Sequence, residues 1–167
     1  MIKNCPWKKY HIACKGDCLE QKGSDPQKQR VYCWEETLNN KLRESDNMMS
    51  FEDCKKLVEK ICSFYDVPVP EISEGKWKRK ATGGELKITL PKKYRDRLSV
   101  IHEACHTVEQ NHAVTHETYD NRQDHGPVFV RLEIDTISRE LGIPVSKLIK
   151  NAKMFDLEIA SAEEVKI

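Results

Sequence analysis

Apolar positions along this chain follow two different periods. Val31, Trp34, Leu38 and Leu42 recur at three- and four-residue steps, which predicts a helix through "DPQKQRVYCWEETLNNKL". In "SFEDCKKLVEKICSFY" the stripe is clearer, with Phe51, Cys54, Leu57, Val58, Ile61 and Phe64 on one face. Ser50, with Asp53 three residues on, makes a near capping box, and Pro68 and Pro70 end the helix. The period then falls to two. In "EISEGKWKRKATGGELKITLP", Leu86, Ile88 and Leu90 alternate with Glu85, Lys87 and Thr89. This predicts two short strands joined in a hairpin at Gly83 and Gly84 and closed by Pro91. Helical spacing returns from about Lys92 to about His112, with Leu98, Ile101, Cys105 and Val108 as the buried stripe. After the polar loop "TYDNRQDHGP", "PVFVRLEIDTISREL" predicts another helix, with Pro127 in its first turn and Gly142 at its end. Pro144 opens a last helix near "VSKLIKNAKMF", and the acidic end is expected to fray.

These elements predict an α+β fold, with several helices packed on a small β-sheet. The length of 167 residues suits one domain. Residues 1–24 lack a periodic apolar pattern and read as a Cys/His-containing arm, 25–157 as the folded domain, and 158–167 as a C-terminal tail. Hydrophobic residues make up 38% and charged residues 33%, which excludes the composition of a disordered chain. A net charge of +1 supplies no global field toward nucleic acid or membrane. No apolar run approaches the roughly 20 residues that span a bilayer. The stretch "MIKNCPWKKYHIACKGDC" has no signal-peptide core. The expectation is therefore an intracellular, cytoplasmic protein with no membrane partner, whose seven cysteines are thiols or metal ligands.

The chemistry concentrates in "SVIHEACHTVEQNH". His102 and His106 are four residues apart on the long helix, with Cβ atoms roughly 5–6 Å apart on one face. Two imidazoles so placed can meet one zinc ion at about 2.0–2.1 Å each. Glu103 is turned about 100° from His102 and is free to act on a water instead, taking its proton as general base. A third ligand is needed, and several residues compete. His112 completes a ten-residue span like H-E-x-x-H-x-x-G-x-x-H. The glycine that would turn the chain is replaced by Glu109, a good helix former. His116 has no fixed context, and Glu133 would supply a carboxylate from the following helix. His125, in "DHGPVF", sits where Gly126 allows a turn and Pro127 starts a helix, and is the favoured candidate. The alternative is a solvated helix face that happens to carry histidines. Cys105 lies inside the motif but on the buried side, so it is not read as a nucleophile.

H-E-x-x-H followed after a loop by H-G-P-x-F resembles the SprT-like zinc metallopeptidases, the group that includes Spartan. A closer resemblance is to a small family of metallohydrolases of actinobacteria and their phages. It runs from about Asp25 to Leu141 through "DPQKQRVYCWEE", "ITLPKKYRD", "VIHEACH" and "HGPVFVRL". The resemblance implies a zincin-like domain with the motif on its active-site helix, and His125 as third zinc ligand beside His102 and His106. It implies a zinc-dependent metallohydrolase, a metallopeptidase acting on protein or peptide through an activated water. It leaves the substrate unassigned and makes DNA a partner to consider. Residues 1–24 fall outside it, and the loop between His106 and His125 carries extra histidines.

Weaker signals remain. Cys5, His11, Cys14 and Cys18 could close a second, structural zinc site, although their spacing is not that of paired C-x-x-C knuckles. "GKWKRK" sets Trp77 among Lys76, Lys78, Arg79 and Lys80, which suits either nucleic acid or a guarded edge strand. An extended substrate could add to the strand at 85–90. Tyr119 is a candidate for the oxyanion. The rival functions are a DNA-associated SprT-like protease and a metal-bearing binding module without proteolysis.

Overall fold

Ser50 shows how locally the helices are specified. Its hydroxyl accepts the backbone N–H of Asp53 at 3.0 Å and lies 2.7 Å from the Asp53 carboxylate, opening a helix whose Cys54, Leu57, Val58, Ile61 and Cys62 are buried. In the computed structural model, residues 25–42, 48–76, 79–115 and 124–165 are described. They form helices α1 (Lys28–Leu42) and α2 (Phe51–Phe64), strands β1 (Glu71–Gly75) and β2 (Lys87–Pro91), and helices α3 (Arg97–Thr115), α4 (Pro127–Leu141) and α5 (Val145–Lys153). Among the described residues the architecture is α+β: five helices with a two-stranded sheet. None of these helices is long and apolar enough to cross a membrane.

Helix α3 is the centre of the molecule. It packs against α2, α4 and β2, and every residue from 100 to 109 is buried. Its start differs from the expected one near Lys92. Residues Lys92–Tyr94 make a single 3-10 turn, and Asp96 then caps α3 by accepting the Ser99 N–H at 3.0 Å and its hydroxyl at 2.6 Å. Meanwhile Arg95 is tied backward, its guanidinium donating to the Leu90 carbonyl at 3.3 Å and its own carbonyl accepting from Met49 N–H at 2.8 Å. At the other end α3 runs on through Glu109 to Thr115, past the expected stop at His112.

The sheet corrects the hairpin expectation. β1 and β2 are parallel, in the register Glu71 with Lys87 through Gly75 with Pro91. The chain between them swings round so that Thr82 pairs antiparallel with Thr89, on the other edge of β2. Gly83 and Gly84 do turn the chain, but from that bridge into β2 rather than from β1. Gly83 is required by close approach: a Cβ there would meet the Glu103 carbonyl oxygen of α3 at 2.2 Å. Ile88 and Leu90 are buried as expected, whereas Leu86 precedes the strand and is exposed. Phe64 also leaves its expected stripe. It is exposed, with the Arg139 guanidinium 3.7 Å over its ring.

α4 begins at Pro127 behind Gly126, and ends at Gly142 in the left-handed region (φ 67°), whose N–H bonds Ser138 O at 2.9 Å. The segment after α5 is not a loose end. Phe155, Leu157 and Ala160 are buried, Ala160 N–H bonds Pro127 O at 3.0 Å, and Glu158 N–H bonds Gln27 Oε1 at 2.6 Å. The Cys5, His11, Cys14 and Cys18 cluster, Trp77, Lys78, His116 and Tyr119 lie outside the described residues.

Candidate metal centre

α3 carries His102 and His106 on successive turns, and their Nε2 atoms are 3.1 Å apart. His125 enters from the loop before α4, with its Nε2 3.3 Å from that of His102. All three side chains are buried, and their nitrogens form one group able to hold a metal ion. Phe129, fully buried on α4, packs against all three rings at 4.4–5.1 Å between centroids. It closes that side of the group.

The far nitrogens of two of the rings are held by carboxylates from the α1 region. Glu35 Oε1 lies 2.6 Å from His102 Nδ1, and Asp25 Oδ2 lies 2.7 Å from His125 Nδ1. A carboxylate that is ionised only accepts, so in that state each pair takes the ring's Nδ1–H and leaves Nε2 as the atom that can face a metal ion. Burial, followed by the positive field of His102, lowers the His125 pKa to about 4, which keeps that ring neutral at ordinary pH. The loop bearing His125 is fixed further by Gln27, whose amide donates to its carbonyl at 3.3 Å.

Glu103, one residue after His102, is buried beside the histidines. Its carboxylate accepts the Gly83 N–H; burial nonetheless raises its pKa, opposed by His102 and that hydrogen bond. Glu133 is also buried but sits on the other side of His102. Its Oε1 is 3.6 Å from Nδ1, and it forms a second close group with Glu35 and that ring. Burial raises Glu35 to about 7 and Glu133 well above the carboxylate range, with Glu35 adding to the latter. Glu133 thus stands behind His102 and outside the three-nitrogen group. His112 is likewise outside both groups. Cys105 is fully buried, with its thiol 3.7 Å from Thr136 Oγ1 and its pKa pushed well up by burial, so it is not poised as a nucleophile.

A cleft of about 300 Å³ opens onto His102 and Glu103, walled by Tyr32, Glu35, Asn39, Lys80, Tyr94 and Ser99 among others. Tyr32 packs against His102 and His125, at 5.6 and 5.3 Å between centroids. Burial, with the carboxylates of Glu35, Glu103 and Asp25, raises its pKa and keeps the phenol protonated.

Sequence reasoning missed Asp25, Gln27, Tyr32, Glu35 and Gly83. The only signal was indirect: metal-binding histidines take carboxylate partners on their second nitrogens, but nothing in the spacing says which of 27 acidic residues supply them. Set beside known proteins, the chain matches no family model, no curated protein and no solved structure, so its functional reading stands on the site itself.

Proposed function

We propose that this protein is a zinc-dependent hydrolase, a peptidase of SprT-like type built on a zincin-like active-site helix. The observation that carries the proposal is the convergence of three Nε2 atoms, with separations of 3.1 and 3.3 Å from His102. Ligands at about 2.0–2.1 Å from a tetrahedral zinc ion stand roughly 3.3 Å apart. Lone pairs at that distance repel unless a positive centre lies between them. A shared proton bridges two nitrogens at most, whereas one metal ion serves all three. Three imidazoles also suit zinc and leave a fourth position for water or substrate.

A zinc ion there would polarise a carbonyl and acidify a water. The chain's own groups do the rest. His102, His106 and His125 hold the ion, and Glu35 and Asp25 orient two of those rings. Glu103, held by the Gly83 N–H, takes a proton from the attacking water and returns it to the leaving amine. The cleft beside His102 and Glu103 admits the substrate.

Elemental analysis of the purified chain, followed by hydrolysis of labelled casein, tests the reading. The expected result is one zinc lost on His102→Ala, His106→Ala or His125→Ala. Glu103→Gln should keep the zinc and lose turnover. A chain that takes up no metal at neutral pH, or a Glu103→Gln variant that cleaves as fast as the wild type, overturns it.

A further inference from the structure

We propose that the Tyr32 hydroxyl is a catalytic hydrogen-bond donor, stabilising the oxyanion formed at the scissile carbonyl. The inference rests on the hydrolase reading above and adds the group that reading lacks. Phe129 shuts one side of the three histidine rings. Tyr32 touches His102 and His125 and is half-buried on the cleft wall, so it lies on the side from which a substrate arrives. Its hydroxyl makes no hydrogen bond among the described residues, although a phenol in such a place usually has one.

Two other side-chain donors on that wall are engaged. Asn39 donates to Asp96 Oδ1 at 3.2 Å, and the Ser99 hydroxyl to Asp96 Oδ2 at 2.6 Å. Tyr94 lines the cleft but has no ring contact with the histidines, its face being turned to the Lys93 ammonium at 4.7 Å. Lys80 is exposed and stands 5.9 Å from the Tyr32 ring centroid. Tyr32 is rigid by comparison, since it rises from α1 one turn before Glu35, which is bonded to His102.

In the reaction, water oxygen bonds to the carbonyl carbon as the carbonyl π pair moves onto its oxygen. Glu103 takes one water proton. When the intermediate collapses, the C–N bond breaks with its pair on nitrogen, which accepts that proton. The Tyr32 O–H donates to the carbonyl oxygen throughout and keeps its own proton. A phenol is protonated at neutral pH, so the donor is always present. The group acts only where charge develops, which raises kcat rather than substrate affinity.

Tyr32→Phe keeps the ring contacts and removes the hydroxyl. Zinc content should not change. Casein hydrolysis should lose about 10²–10³-fold in kcat with KM nearly constant. Calorimetric affinity for a phosphinic dipeptide, whose tetrahedral oxyanion mimics the intermediate, should fall by a similar factor. Lys80→Met, which removes the exposed cation of the cleft wall, should cost far less than Tyr32→Phe in both. If the wild type cleaves casein and binds the phosphinic compound, and Tyr32→Phe matches it in both, the Tyr32 role is overturned while the hydrolase reading stands. The same holds if Lys80→Met carries the loss. If the zinc-loaded wild type neither cleaves nor binds, the hydrolase reading and this inference fall together.

Discussion

Asp25 and His125 are 100 residues apart in the chain and 2.7 Å apart in the fold. Glu35 holds His102 in the same way. Both carboxylates sit behind a ring nitrogen, where in their ionised form they would fix the tautomer and raise the basicity of the nitrogen that faces the proposed metal position. Asp25→Asn and Glu35→Gln should each weaken zinc binding about 10- to 100-fold, measured by competition with a chromophoric chelator. Removing His125 itself should weaken it far more. Wild-type affinity in both carboxylate variants would show that the rings are oriented by packing alone.

Gly83 ties the sheet edge to the site. A Cβ at this position would lie 2.2 Å from the Glu103 carbonyl oxygen and 2.8 Å from its Cα, both backbone atoms of a buried helix that cannot yield. Gly83→Ala must therefore push the 82–84 segment off α3 and withdraw the N–H that holds the Glu103 carboxylate. Turnover should fall at least tenfold with zinc content unchanged, because the histidines do not depend on this segment. Gly84→Ala is the control, since its Cβ would meet only the Gln110 side-chain oxygen at 3.4 Å and the Lys87 carbonyl at 3.6 Å. Equal activity in the two variants would contradict the positioning role.

What could be read from sequence was what neighbouring residues decide among themselves. The Ser50 cap, Pro127 and Gly142 each act within a turn, and all three mark helix ends in the fold. The glutamate at position 109 keeps α3 helical beyond His106, and that carries His112 away from the three-nitrogen group. Two glycines before an alternating strand, however, look the same whether they close a β1–β2 hairpin or lead from a Thr82 bridge into a parallel pair. Only long-range packing on α3 distinguishes them. Asp25 and Glu35 were hidden for the same reason, because their partners, His125 before α4 and His102 on α3, come from segments that nothing local connects to α1. Asp96 was legible in principle: an acid three residues before Ser99 is a capping signal, and the run of Pro91 and lysines before it obscured the true start.

The Lys60–Glu140 pair links α2 to α4 and gives acid stability a definite sign. Lys60 Nζ is 2.6 Å from Glu140 Oε2, and Arg139 Nε is 3.0 Å from Oε1. Burial alone would raise the Glu140 pKa, but these two cations outweigh it and lower it. A lowered folded-state pKa means stability that is present above the unfolded carboxylate value, near 4.3. That stability is lost as pH falls through the lower folded value. Lys60 is 64% exposed, so solvent screens the pair and about 0.2–1 kcal/mol is expected. Urea unfolding of Lys60→Met should show that deficit at pH 7 and a narrowing gap below pH ~4. A gap that widens in acid would refute the sign.

Gln27 joins the site to the end of the chain. Its buried amide donates to the His125 carbonyl at 3.3 Å and to the Glu158 carbonyl at 3.4 Å, and its oxygen accepts the Glu158 N–H at 2.6 Å. Gln27→Ala removes all three bonds at once and leaves a buried carbonyl and a backbone N–H without that partner. The expected cost is about 1–3 kcal/mol in unfolding free energy. The effect should extend to metal binding, because the His125 loop loses its tether while Asp25 still holds the ring. Zinc affinity should drop modestly, by less than in Asp25→Asn, and a chain ending at Leu157 should reproduce much of the stability loss. That truncation also removes the Ala160 bond to the Pro127 carbonyl at the start of α4. If the truncated chain unfolds at the wild-type urea midpoint, the residues after Leu157 do not contribute to holding the His125 loop, and Gln27 acts only within its own corner of the fold.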